Sequence, residues 1–111
     1  MNKRKEMSVI KTDAIRKDPI PYLRGRQAEL AQRYGIRSIR FFGSRVRGDA
    51  GPDSDLDILI EADKPYRFDL LELKVLEQEF SDELGIPVDL VLDEDLKASI
   101  GQRVRAEAVP I

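Results

Sequence analysis

The 111-residue chain contains no cysteine and no histidine, and no tryptophan. The first absence excludes disulfides, thiolate nucleophiles and cysteine zinc sites. The second excludes imidazole bases and imidazole metal ligands. Whatever chemistry the chain performs must use carboxylates, hydroxyls, Lys, Arg or backbone amides. Long apolar runs are also missing: the opening stretch MNKRKEMSVIKTD has no apolar core of signal-peptide length, and no later run approaches a membrane span. The expectation is a soluble, cytoplasmic protein with no membrane association. At this length there is room for one domain, burying about 65% of the surface its unfolded form exposes, and none for a second substrate domain.

The charge is plentiful and uneven. The formal net charge is −2, yet residues 1–50 hold 13 basic and 5 acidic side chains, and residues 51–111 hold 6 basic and 16 acidic ones. That balance does not suit a bulk nucleic-acid binder. It reads as two solvated faces, or as two complementary surfaces for assembly with a partner protein.

Residues 1–18 are polar and basic, with weak periodicity, and read as an N-terminal arm or a short helix around TDAIRKD. Residues 19–111 form the expected domain. Within it, PYLRGRQAELAQRYG reads as one helix started at Pro21, weakened by Gly25 and stopped at Gly35. IRSIRFF is the first strand, with Ile39 and Phe41 on one face and Phe42 on the other. SDLDILI is the second, with Leu56, Ile58 and Ile60 on the apolar face and Asp55, Asp57 and Leu59 opposite. FDLLELKVLEQEFSDELG places Leu73, Leu76, Phe80 and Leu84 on one helical stripe. IPVDLVL is the third strand, with Asp89 and Val91 opposite Val88, Leu90 and Leu92. DEDLKASIGQRVRAEAVPI reads as a last helix whose acidic start suits the dipole. The predicted class is α+β: a small mixed β-sheet, its first two strands antiparallel, the second and third joined by a parallel crossover, with helices packed on one face.

The segment FFGSRVRGDAGPDSDLDILI, residues 41–60, carries the chemistry. Asp55 and Asp57 leave the same strand face with Cα atoms about 6.6 Å apart, so both reach one cation. Hard divalent cations such as Mg²⁺ favour such oxygen donors and keep positions open for phosphate and water. Asp89 converges on them if its strand neighbours the second. Carboxylates that close repel unless a cation compensates. Gly43 lets backbone approach a ligand, and Ser44 offers a hydroxyl and an amide to phosphate oxygens. Arg45 and Arg47 can neutralise a triphosphate, or can simply be solvated loop residues. A lone D-x-D or G-S pair is most often surface or turn; here their combination carries the argument.

Gly43-Ser44, ten intervening residues, then Asp55-Leu56-Asp57 resembles the G-S-x10-D-x-D signature of the minimal nucleotidyltransferases (MNT domains) of the DNA polymerase β-like superfamily. The resemblance covers roughly residues 22–108, including GSRVRG, PDSDLDILI, GIPVDLVL and the terminal AEAV. It implies the polymerase β-like fold and the transfer of AMP from ATP, with Asp55, Asp57 and Asp89 as catalytic and metal residues for two Mg²⁺ ions. Gly43, Ser44 and Arg47 would bind the nucleotide. Val46 departs from the alanine usual in the G-S-x-A-R-G form, and AVPI departs from the aromatic often found near the end.

Members of the family are commonly antitoxins paired with HEPN-domain toxins, which they adenylylate on a tyrosine. The resemblance therefore implies a protein adenylyltransferase acting as antitoxin on a HEPN partner. One alternative is a non-catalytic module that senses nucleotide or masks its partner by binding. Another is transfer to a small molecule such as an aminoglycoside, which the absence of a second domain disfavours.

Overall fold

The computed structural model describes residues 17–111. The arm expected over residues 1–18, with its helix around TDAIRKD, lies almost wholly outside the described residues, and Asp18 belongs instead to the start of the first helix.

Helix α1, Pro19–Arg24, begins where the Asp18 side chain accepts from the Ile20 N–H and Pro19 takes the first turn, satisfying one open donor and sparing another. It ends at Gly25, and α2, Gln27–Tyr34, follows as a separate helix. The single helix expected from Pro21 is therefore two. The Gly25 N–H donates to the Pro21 carbonyl and the Arg26 N–H to the Leu23 carbonyl, and the Arg26 side chain is held by Glu29, Glu79 and Tyr22, which fixes the corner.

Strand β1, Ile36–Phe42, carries a bulge between Ile36 and Ser38. The extra residue returns Ile36 to the face of Ile39 and Phe41, and all three enter the core. A short helix α3, Ser44–Arg47, follows directly where the sequence suggested only loop. Strand β2, Leu56–Ala62, pairs antiparallel with β1. Helix α4, Leu70–Leu84, is opened by a capping box between Asp69 and Glu72. It buries Leu73, Leu76, Phe80 and Leu84, as the periodicity predicts. Strand β3, Val88–Leu92, then pairs parallel with β2.

The acids Asp93–Asp95 form a 3-10 turn instead of the first turn of the last helix, because Asp93 is engaged by Arg40 and Arg105. Helix α5, Ala98–Glu107, starts five residues later than Asp93. A two-residue strand β4, Val109–Pro110, adds to the free edge of β1 and had no counterpart in the sequence reading. Proline is tolerated there because the outer side of an edge strand needs no donor.

The sheet order is β3-β2-β1-β4. Helices α1, α2 and α4 cover the face bearing Ile39, Phe41, Leu56, Ile58, Ile60, Val88 and Leu90, which together form the core. Helix α5 brings Val104 and Glu107 to the side that carries Asp57. Among the described residues no helix is long and apolar enough to cross a membrane.

Candidate active site

The β2–β3 register pairs Asp57 with Asp89 directly, so the two Cα atoms sit on neighbouring strands about 4.8 Å apart with side chains leaving the same face. Asp55 lies just ahead of β2 and is exposed. On the other side of Asp57, β1 ends at Phe42, its antiparallel partner, and the chain turns at Gly43. The sheet thus brings Asp55, Asp57 and Asp89 to one end of its open face, beside the Gly43-Ser44 turn. The convergence expected of Asp89 follows from the parallel crossover, which makes its strand the neighbour of β2.

Gly43 is required twice over. Its φ of 87° lies in the left-handed region, and a Cβ there would stand 2.1 Å from Asp57 Oδ2. Val46 and Arg47 donate their backbone N–H groups to the Gly43 carbonyl as α3 begins. Ser44, half-buried, and exposed Arg47 face the same cleft as Asp57.

Arg45 does not. It is 1% exposed, and its guanidinium donates to the carbonyls of Ser54 and Pro52. It fastens the 50–54 loop onto α3 and takes no part in neutralising a phosphate. Side chains on a single helical turn must diverge, so the loop's two arginines separate into one inside and one at the cleft.

Two residues of the site were not singled out from the sequence. Arg103 and Glu107 of α5, with Val104, close a cleft of about 260 Å³ over Phe42, Gly43, Ser44, Arg47 and Asp57. Glu107 Oε2 accepts from the Gly43 N–H at 2.8 Å and from Arg47 at 3.3 Å. The available signal was an acid in the last turn of a helix, where the dipole favours cations.

Burial, then the neighbouring charges of Asp89 and Asp55, push the Asp57 carboxyl up to about 6, with Arg47 opposing and Glu107 adding to the rise. Asp89, whose side chain reaches solvent, is also raised, by partial desolvation against the sheet first and by Glu77 next, with Lys74 opposing. The donor chemistry is that of a hard divalent cation: Asp57 and Asp89 on adjacent strands with Asp55 just ahead of β2, all oxygen, with repulsion that an ion would relieve. Among the described residues no group of three or more acidic side chains is gathered closely enough to hold a metal ion.

A strand, a left-handed glycine turn into a short helix, and paired acids at the head of the next strand define a nucleotidyltransferase. The family model for the nucleotidyltransferase domain matches residues 25–109, and the chain belongs to that family. Among its relatives is protein adenylyltransferase MntA of Thermococcus cleftensis, 41% identical over 87 residues, which span 78% of this chain and 86% of the relative. A solved structure assigned as a minimal nucleotidyltransferase superposes with a TM-score of 0.65 at 34% identity, covering 83% of this chain and 95% of the other. A toxin–antitoxin crystal structure with AMP-PNP shares the fold, with a TM-score of 0.63 at 24% identity over 78% of this chain and 69% of that one.

Proposed function

We propose that the chain is a cytoplasmic antitoxin that transfers AMP from ATP to a hydroxyl of a protein partner, a tyrosine of a HEPN-domain toxin. The observation that carries the reading is the placement of three carboxylates, Asp57 and Asp89 in direct register and Asp55 beside them, next to the Gly43-Ser44 turn. The name of the Thermococcus cleftensis relative supports protein as the acceptor class.

In this reading Ser44 and the backbone of the α3 turn hold the phosphates, and Arg47 offsets their charge. Up to two Mg²⁺ ions, held by Asp55 and Asp57 with Asp89 alongside, supply charge compensation and a more acidic acceptor hydroxyl when bound. The acceptor oxygen bonds to the α-phosphorus, the bridging bond from that phosphorus to the leaving oxygen breaks, and pyrophosphate departs with the bonding pair. Asp89, exposed at the outer strand, receives the hydroxyl proton.

The test is incubation with α-labelled ATP, Mg²⁺ and a HEPN-domain toxin, wild type against Asp55→Asn, scoring label on the toxin. Label on a toxin tyrosine that disappears with Asp55→Asn, while the two proteins still associate, is the expected result. A stable complex in which the wild type places no label sinks the transfer reading and leaves masking by contact.

A further inference from the structure

We propose that Glu107 is an internal stand-in for a substrate phosphate: its carboxylate occupies the donors a nucleoside triphosphate needs, and the nucleotide enters by displacing it. The inference rests on reading Gly43, Ser44 and Arg47 as the phosphate-binding groups. Gly43 offers its N–H and Arg47 its guanidinium, and both contact the same oxygen, Glu107 Oε2, at 2.8 and 3.3 Å. An oxygen anion bridging a backbone amide and an arginine is the arrangement expected of a bound phosphate oxygen.

Nothing local drives Glu107 into this position. It lies 64 residues from Gly43, so the contact is made only by the tertiary fold. It ends α5, where the helix dipole disfavours negative charge. Its charge also acts against Asp57 across the cleft. The Gly43 and Arg47 donors offset these penalties, and a ligand that brings more negative charge, along with its cation, competes for the same donors. The cleft, at about 260 Å³ with Glu107 in its wall, is smaller than ligand pockets commonly are, about 300–1,000 Å³. Withdrawing the Glu107 side chain frees space and both donors together.

The arrangement selects by phosphate number. A triphosphate engages the vacated donors and the acid-bound cation at once, whereas a nucleoside has nothing to exchange for the glutamate. Glu107 therefore penalises only an occupant that must take its two donors, and the most highly charged one overcomes it best, whereas a nucleoside leaves those donors with the glutamate.

Glu107→Gln keeps an oxygen acceptor for the Gly43 N–H and removes the charge. Titration of the full chain with Mg²⁺–ATP, and separately with adenosine, reads the effect. Expected is about three- to tenfold tighter ATP binding in E107Q, the range a displaced charged contact represents, with adenosine affinity unchanged. Glu107→Ala serves as a second variant, expected to tighten ATP binding in the same direction. ATP affinity unchanged or weakened in both variants, with thermal unfolding intact, overturns the proposal and makes Glu107 a strut for Gly43 and Arg47. Failure of folded wild type and both variants to bind ATP removes the phosphate-site reading, and the stand-in falls with it. Label transfer to a toxin is scored separately: tighter ATP binding in E107Q without any transfer keeps this inference and removes adenylylation.

Discussion

Leu56, Ile58 and Ile60 on one side of β2 are 0, 0 and 2% exposed, while Asp57, between them in sequence, faces Asp89 on the other side. The same strand therefore serves opposite ends through its two-residue alternation. The helix-covered side gains stability from every apolar side chain it buries. The acid-bearing side holds like charges together, and its burial raises Asp57 to about 6. Within that side Leu59 is fully buried, so the cost is confined to the strand ends where the acids and the Gly43 turn meet. The difference teaches that the core supplies the rigidity by which the sheet imposes an arrangement its carboxylates would not adopt alone.

The largest effect should come from the point where the two strands touch across the turn. Gly43→Ala sets a Cβ against Asp57 Oδ2 and forces a left-handed alanine. Nucleotidyl transfer is expected to fall by about a hundredfold or more, with a stability loss of about 1–3 kcal/mol. A transfer rate within threefold of wild type, read with α-labelled ATP, would break the link between the turn and the acids.

On the opposite side, Ile58→Ala removes a fully buried side chain that is not among the residues lining the cleft. Urea unfolding should show a loss of about 2–5 kcal/mol, with transfer per folded molecule preserved. Transfer that fell in step with no loss of stability would mean the two sides are not separable.

A smaller signature lies in pH. Because folded Asp57 binds its proton more tightly than the unfolded chain does, the folded state holds more protons between about pH 4 and its value near 6. Its contribution to stability is present below pH 4 and lost as pH rises through 6. The partial exposure of Asp57 limits the loss to about 1–2 kcal/mol. Asp89, shifted in the same direction, adds to the fall. Because the lowered carboxyls of Glu29, Asp93 and Glu94 act in the opposite direction, the measure is the difference between wild type and Asp57→Asn from pH 4 to pH 7.5 without divalent cations, and a difference that moved in favour of wild type as pH rose would contradict the repulsion among the acids.

Much of this was legible in residue order because the signals were local and repeated. Alternation in SDLDILI and IPVDLVL gave each acid its face, and a helix-length segment between them required the parallel neighbour that aligns Asp57 with Asp89. The G-S-x10-D-x-D spacing marked the turn against the acids. What escaped depended on contacts between distant segments. Gly25 divides a helix because Arg26 finds Glu79, 53 residues away. Arg45 turns inward because the loop carbonyls of Pro52 and Ser54 meet it there. Asp93 leaves the last helix for Arg40 and Arg105. Glu107 enters the cleft only once α5 has crossed the acid-bearing side. No periodicity reports such meetings, and a charged side chain in a loop or last turn looks solvated until its partner is found.

The most direct measurement is the unfolding free energy of Asp57→Asn beside wild type at pH 7.5 with divalent cations chelated. Asparagine keeps the shape and removes the charge that Asp55 and Asp89 oppose. If the carboxylates are held for chemistry at the expense of stability, the variant is as stable as wild type or gains up to about 1–2 kcal/mol. A loss of more than about 1 kcal/mol would mean that Asp57 is a structural residue, and would contradict the account of the acid-bearing side as a catalytic face.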